Sequence, residues 1–360
     1  MNHTIPLDII RDQSFIEAER RRNAAKFTTT PKTTHAAHNL FTIHSANAWL
    51  QIQSTAPEPQ MLFSNFWHQD ELCILFADTN LGKSILAVQL GHEIARGAAI
   101  EPFANNTAPQ KVLYIDFELS PNQFRSRYNE RHATHNFAEN LYRAEFNLEA
   151  QMPADFKNFE QYINAAIENA VQQTGAQVLI IDNISCLRNG SAFGTANEAL
   201  TLMKQLKTLK TRYNLSILVL AHTPKRNPAN PISANDLQGS KMLMNFADSA
   251  FAMGQSHTRP DLRYLKQIKQ RTGCETYGAA NICLLNLGKQ YGYLHFSFAG
   301  YSHEYQHLRR HTNTQREQLR QQAQLHRSDG LSQRQIAAKM NLSLTTINRL
   351  LNPTVSVTYR

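Results

Sequence analysis

Gly82, Lys83 and Ser84 close the run Ala77-Asp78-Thr79-Asn80-Leu81-Gly82-Lys83-Ser84, which separates the apolar segment LCILF (72–76) from the amphipathic segment ILAVQLGHEIA. This order predicts a strand, a tight loop and a helix, a context in which such a run surrounds a phosphate. Successive backbone N–H groups and the helix N-terminus would face the anion, and glycine at 82 lets the main chain come close. Lys83 would bring charge to the β- and γ-phosphates of ATP, and Ser84 a hydroxyl to Mg²⁺. The pattern G-x-x-x-x-G-K-[ST] is met at every signature position except the first, where Ala77 stands for glycine.

Two carboxylates are predicted at the same edge of a sheet. QVLIID (177–182) ends in Asp182, at the C-terminal end of an apolar strand, where ligands bind in open α/β sheets. That position suits a metal-holding aspartate acting mainly through water, with Asn183 and Ser185 beside it. KVLYIDF (111–117) is followed by Glu118, placed to orient an attacking water. Asp116 competes for that role from inside the strand, where a structural or supporting one also fits. LSILVLA (215–221) ends at His222 and Thr223, and a histidine there would sense the γ-phosphate. The polar, Pro-rich stretch 223–236 has the composition of a mobile loop, whose Lys225 and Arg226 would face nucleic acid.

These groups need a scaffold that brings several strand ends together. Helices are predicted at Lys83–Arg96, Pro121–Arg131, Asp155–Gln173 and Ala196–Tyr213 between the apolar runs. Such alternation gives a mostly parallel sheet flanked by helices. Segments 249–253, 262–270, 281–287 and 291–298 read as an antiparallel extension, with a turn at Gly288-Lys289, and the core closes near Gly300. Residues 1–61 form an arm and linker, with a charged helix over Ser14–Lys26 and a Thr-rich stretch after it. A polar segment, 301–324, leads to a small all-helical block, 325–360.

In that block, Leu331, Ile336, Ala337, Met340, Leu342, Ile347 and Leu350 repeat at helical spacing, with Ser332 and Ser343 as N-caps. Two helices joined by a tight turn follow, and residues 312–328 would supply a first helix. The block resembles the helix-turn-helix of resolvase and regulator DNA-binding domains. That resemblance implies duplex contact through Arg334, Ser343, Thr345, Thr346, Asn348 and Arg349.

The chain has 37 Lys and Arg against 28 Asp and Glu, a formal charge of +9, with the excess gathered toward both ends. A polyanionic partner fits that balance. The apolar fraction of 42% excludes a wholly disordered chain. Cys73, Cys186, Cys274 and Cys283 lack paired spacing and read as reduced thiols, mostly buried. No apolar run is long enough to span a bilayer, and a cytoplasmic protein with no membrane partner is expected.

Together, YIDFELS, LIIDNIS, NDLQGSKMLMNFADSAFAM (235–253) and IKQRTG (268–273) resemble the RecA-like hexameric ATPases, especially replicative helicases of the DnaB and RepA types, over residues 62–298. The resemblance implies a RecA-like P-loop core, Glu118 as base, a Walker B strand ending at Asp182, and a Gly239/Ser240 pair before Asp248. It further implies that Lys269 and Arg271 reach the γ-phosphate held by the neighbouring subunit. A homo-oligomer, hexameric in the family's manner, would act on single-stranded DNA in its channel and on duplex through the helix-turn-helix, in replication or mobilisation of a plasmid or mobile element. No N-terminal domain of the DnaB kind is recognisable, which favours the shorter RepA-like plan. The alternatives are an ATP-switched DNA-binding transcriptional regulator and a recombinase-like filament ATPase.

Overall fold

The computed structural model describes residues 42–54, 58–130, 133–147, 149–187, 196–238, 241–309 and 313–352. The Ser14–Lys26 helix, the Thr-rich stretch and the Gly239/Ser240 pair lie outside the described residues. The chain divides into two compact units, one ending at Glu58 and the other running from Pro59 onward. The first contains helix α1 (Ala46–Ser54), within what reads from sequence as arm and linker.

The second unit begins with a two-stranded ribbon, β1 (Met61–Phe63) and β2 (Trp67–His68). Then come β3 (Leu72–Ala77), α2 (Lys83–Arg96), β4 (Val112–Asp116) and α3 (Pro121–Tyr128). A small ribbon, β5 (Asn129–Glu130) and β6 (Ala133–Thr134), precedes β7 (Leu141–Glu145), α4 (Phe159–Thr174) and β8 (Val178–Asp182). The chain continues through α5 (Ala196–Tyr213), β9 (Ser216–His222), α6 (Lys241–Phe246) and β10 (Ser249–Gln255). It closes with β11 (Leu262–Lys269), β12 (Ile282–Gln290), β13 (Tyr293–Ser302), α7 (Glu304–His307), α8 (Asn313–Ser328), α9 (Gln333–Met340) and α10 (Leu344–Leu351).

Nine strands form one sheet in the order β13-β12-β11-β10-β3-β9-β8-β4-β7. The six strands from β10 to β7 pair in parallel, and β11 to β13 add to them antiparallel. The α/β class expected from the alternating pattern is therefore what the chain adopts. Strands β3, β4 and β8 are buried throughout, as continuous apolar runs covered on both faces should be. The period of two sorts them. Leu72, Ile74 and Phe76 join Ile163, Ile167, Leu202 and Leu206 of α4 and α5 on one face. Cys73, Leu75 and Ala77 join Ile85, Leu86, Leu90 and Ile94 of α2 on the other.

Several details differ from expectation, among them the helix expected over Pro121–Arg131, which ends at Tyr128, and the one over Asp155–Gln173, which begins at Phe159. The strand from 249 is not part of the antiparallel extension: it enters beside β3 with Ser249 opposite Cys73, because α6 returns the chain to the same end of the sheet. The last hairpin turns at Tyr291-Gly292, not Gly288-Lys289. Both turn residues have positive φ, 50° and 79°, as a two-residue hairpin of this hand requires, while Gly288 pairs with His295 inside the ladder. β13 also carries the core past Gly300 to Ser302. Finally, α8, the helix expected over 312–328, runs across the 324/325 boundary, because Ala323 belongs with Ile336 and Ile347 in the small core of the three-helix unit.

Among the described cysteine side chains, Cys73, Cys274 and Cys283 are free, and Cys274 is exposed. No helix among the described residues is long and apolar enough to cross a membrane.

Candidate phosphate-binding site

The loop between β3 and α2 is shaped by backbone conformations that few residues adopt. Asn80 has φ 60° and Gly82 φ 100°. A side chain at 82 would be strained by that angle, and its Cβ would also lie 2.7 Å from Cζ of Phe296. Gly82 is the N-cap of α2 and provides no side-chain cap, so the first N–H groups of the helix face the loop. Ala77, by contrast, is an ordinary strand residue: it is buried, pairs with His222 on one side and Met253 on the other, and has no positive φ. The first glycine of the motif is dispensable here because position 77 is still part of β3. Asp78, Thr79 and Asn80 are exposed, and Asp78 accepts a 2.8 Å hydrogen bond from the Thr79 N–H. Leu81 accepts from Arg263 of β11 at 3.3 Å.

Lys83 is buried beneath this loop. Its ammonium donates to the carbonyls of Ala77 at 3.1 Å and Asp78 at 3.0 Å, and to Nδ1 of His222 at 3.2 Å. Burial lowers its pKa, opposed by the nearby carboxylates of Asp182, Glu118 and Asp78. Because an ammonium can only donate, Nδ1 of His222 is the acceptor. The neutral ring then carries its proton on Nε2, which lies 3.3 Å from Oε1 of Glu118 and 3.0 Å from Nδ2 of Asn183. Asn183 Nδ2 donates to the same Glu118 oxygen, not to the protonated Nε2 beside it, and its own oxygen accepts from the Ser185 N–H at 2.8 Å. The His222 hydrogen bond holds the Glu118 carboxyl below its usual range against a smaller opposing effect of burial.

Asp182 is 1% exposed. Burial raises its carboxyl to about 6, while hydrogen bonds from Ser84 and Tyr114 act the other way. The Tyr114 hydroxyl donates to Oδ2 at 2.7 Å. Hard oxygen donors, the Ser84 hydroxyl and a buried carboxylate, suit Mg²⁺, and a cation between them would offset the cost of keeping Asp182 ionised.

The structure thus brings Lys83, Ser84, Glu118, Asp182, Asn183 and His222 together at the C-terminal ends of β3, β4, β8 and β9. Asp116 is not free to compete with Glu118. Its carboxylate is bound by Arg143 at 2.9 Å and accepts the backbone N–H groups of Glu118 and Leu119, which fixes the turn that presents Glu118. Sequence reasoning missed Tyr114, Arg143 and Arg263. Tyr114 reads as one more apolar strand residue, and the other two carry no local motif. Arg143 lies on β7, a short, half-exposed strand whose LYRAE run hides its period.

Lys269 and Arg271 lie elsewhere. Lys269 pairs with Ala250, itself opposite Ile74, toward the end of the sheet away from the phosphate loop. Its ammonium donates to the carbonyls of Met244 at 2.6 Å and Asn245 at 3.3 Å. Arg271 donates to Asn245 at 2.8 Å and to Asp248 at 3.4 Å. Asp248, in turn, accepts the Leu72 N–H at the start of β3, so it anchors that strand.

The stretch 223–236 is fixed in place rather than the mobile loop its composition suggests. Ile232 is buried, its N–H donates to Glu304 at 2.7 Å, and its carbonyl accepts from Lys266 at 2.7 Å. Lys225 is exposed, but Arg226 turns inward to Asp236 at 3.3 Å and to the Asn230 carbonyl, so the two are not a cationic pair facing outward. A cavity of about 310 Å³ separates this stretch from the phosphate loop, lined by Asp78, Leu81, Thr223, Arg226, His257 and Tyr264 among others. The Thr223 hydroxyl is buried there with no protein partner.

In the three-helix unit, Ser332 forms a capping box with Gln335, and Ser343 caps α10 by accepting the Thr346 N–H. Arg334, Ser343, Thr345, Asn348 and Arg349 are exposed, and Thr346 is half-buried. The Ser343 hydroxyl is occupied by its cap and by Thr346 Oγ1 at 2.7 Å.

The sequence matches the family described as AAA domain over residues 42–228, more than half of the chain, and the chain belongs to that family. The family's ATPase-type domain agrees with the P-loop run at 77–84 and the α/β core that carries it. Among solved structures, it is similar to a KaiC-like protein, PH0186, from the hyperthermophilic archaeon Pyrococcus horikoshii OT3, at 12% identity and a TM-score of 0.45, covering 65% of this chain and 93% of that one. No curated protein matches the sequence.

Proposed function

We propose that the chain is a Mg²⁺-dependent ATP hydrolase that works as a homo-oligomeric ring on DNA, in the manner of RepA-like helicases, in replication or mobilisation of a plasmid or mobile element. One observation carries the hydrolytic reading: Lys83, His222 and Glu118 form a hydrogen-bonded chain, joined by Asn183, at the strand ends that border the phosphate loop, where Asp182 is held by Tyr114. Lys83 and the open N-terminus of α2 bind the phosphates. Ser84 and Asp182 would hold Mg²⁺, which would neutralise phosphate charge. Glu118, kept ionised by its hydrogen bond from His222, orients the attacking water and accepts its proton.

The oligomeric reading rests on Lys269 and Arg271. They sit away from the phosphate loop of their own chain, so they can stabilise phosphoryl transfer only at a neighbour's site. The DNA reading rests on the three-helix unit, with Arg334, Thr345, Asn348 and Arg349 outward. A second reading, an ATP-switched regulator, draws on one contact: Asn227, just after His222 and Thr223, donates to the carbonyl of Asn341 in the turn between α9 and α10.

The test is steady-state ATP hydrolysis with and without single-stranded and duplex DNA, beside Glu118→Gln. DNA-stimulated turnover lost in the variant is the expected result. Tight ATP binding with negligible turnover in the wild-type protein favours the switch and overturns the motor.

A further inference from the structure

The segment from His222 to Gln238 touches more of the molecule than a crossover between elements requires. At its start, His222 shares Lys83 with the phosphate loop and Glu118 with the end of β4. Gln238 returns to the His222 carbonyl at 2.9 Å, which closes the segment into a loop on that residue. In its middle, Asn227 meets the carbonyl of Asn341 at 3.3 Å, and Pro228 accepts the Arg309 N–H at 3.1 Å. Asn341 is the left-handed cap that ends α9 and starts the turn to α10. Arg309 precedes the three-helix unit in the chain.

The segment is anchored by a buried ion pair. Lys266 and Glu304, 9% and 1% exposed, meet at 2.5 Å. Glu304 accepts the Ile232 N–H and the Tyr264 hydroxyl, and Lys266 donates to the Ile232 carbonyl. Both polar groups of Ile232 are thereby bound by one pair of opposite charges. Burying two ions costs several kcal/mol unless their remaining hydrogen-bonding capacity is used, and such pairs are best attested where they fix one arrangement among several. Here the arrangement fixed is that of a segment with the nucleotide sensor at one end and the helix-turn-helix contact in its middle. The cavity beside the phosphate loop borders the same segment, so a shift of Thr223 and Arg226 has room to occur.

We infer that residues 222–238, clamped by the Lys266–Glu304 pair, form a strut through which occupancy of the phosphate site changes the docking of the three-helix unit. The inference rests on the nucleotide-binding reading given above. Phosphates compete with His222 for Lys83. Loss of that hydrogen bond releases the start of the strut, and the clamp transmits the change as a rigid displacement at Asn227 instead of a local one at Thr223. Lys266 and Glu304 are positioning residues in this scheme and touch neither nucleotide nor DNA.

The test uses the full chain carrying Glu118→Gln, which retains nucleotide. Hydrogen exchange is followed over 222–238 and 333–351 with and without Mg²⁺-ATP, and ATP affinity is measured separately. Mg²⁺-ATP should speed exchange in both stretches, by about fivefold or more in 333–351, the lower end of ordinary site-to-site coupling. Asn227→Ala, a change at a half-buried residue outside the apolar core, should keep ATP affinity and the response of 222–238 but abolish that of 333–351. Replacing the clamp by the apolar pair Lys266→Met with Glu304→Leu should reduce the response of 333–351 while ATP affinity stays within about twofold. ATP binding with no change in 333–351, or an unaltered response in Asn227→Ala, overturns the strut and leaves the ATPase reading standing. Failure to bind ATP overturns both.

Discussion

The two ends of the central sheet treat their cations in opposite ways. At the C-terminal ends of the parallel strands, Lys83 is buried and its three hydrogen bonds go to its own loop and to His222. Toward the other end, Lys269 and Arg271 reach past the last turn of α6, and half of the Arg271 side chain stays exposed. One end gathers carboxylates around a buried cation; the other sets Lys269 and a half-exposed Arg271 against the carbonyls that end α6. On the proposed reading, a single copy carries both halves of a phosphoryl-transfer site but holds them toward opposite ends of the sheet. On that reading a head-to-tail contact between copies would bring one end to the other, and a contact of that kind closes as a ring or continues as a filament.

The sharpest way to break this comparison is Arg271→Ala. Turnover should fall by about a thousandfold or more, the range of trans-acting arginines, while ATP affinity measured by equilibrium binding is retained. Full turnover in this variant would remove the outward end from catalysis. Lys83→Ala should lose at least about a hundredfold in hydrolysis, through weakened nucleotide binding. Mixing the two dead variants then sharpens the comparison. Copies lacking Lys83 still present Arg271, so a 1:1 mixture should recover about a quarter of wild-type turnover, the share of heterologous interfaces with both parts intact. No recovery would mean that the cations serve their own subunit.

Asp182 supplies a test of the inward end that needs no substrate. Its carboxyl is held at about 6 against the ordinary 3.8. Below pH 3.8 it is neutral whether the chain is folded or unfolded, and it costs nothing. As pH rises the unfolded chain releases the proton first, so the folded state loses stability until about pH 6 and stays lower above it. Asp182→Asn should gain on the order of 2–3 kcal/mol over wild type at pH 7 without Mg²⁺, and the gain should vanish near pH 4 in urea melts. An unchanged difference across that range would mean that Asp182 is not held neutral by burial. The smallest expected effect is again at Arg271. If its guanidinium served mainly to cap α6, Arg271→Ala would cost measurable stability, yet with the side chain half exposed the loss should stay under about 1 kcal/mol. A larger loss by thermal melting would assign the residue to the fold.

Much of this was legible in the residues. The buried strands announced themselves as apolar runs, and α2 and α5 begin and end where amphipathic spacing put them. Glu118, Asp182 and His222 were readable because each follows an apolar run at a predictable edge. What could not be read was anything set by contacts between distant segments. Tyr114 supports Asp182 across 68 positions, Arg143 holds Asp116 across 27, and Lys266 meets Glu304 across 38. Composition misled at 223–236, where prolines and polar residues suggested mobility and a buried ion pair provides the anchor instead. β7 escaped notice for a different reason: an edge strand buried on neither face has no pattern to show.

Phe296 touches the ring edge of its phenyl to the space that a side chain at Gly82 would fill, and Gln89 of α2 exchanges hydrogen bonds with the Phe296 backbone in both directions. The phosphate loop is thus completed by a strand that begins more than two hundred residues later. During synthesis the ribosome releases Lys83 long before Phe296, and the family's characteristic stretch up to residue 228 emerges without the hairpin that steadies its loop. Contacts of such long sequence separation form late. A growing chain therefore has the binding motif before it has the finished loop.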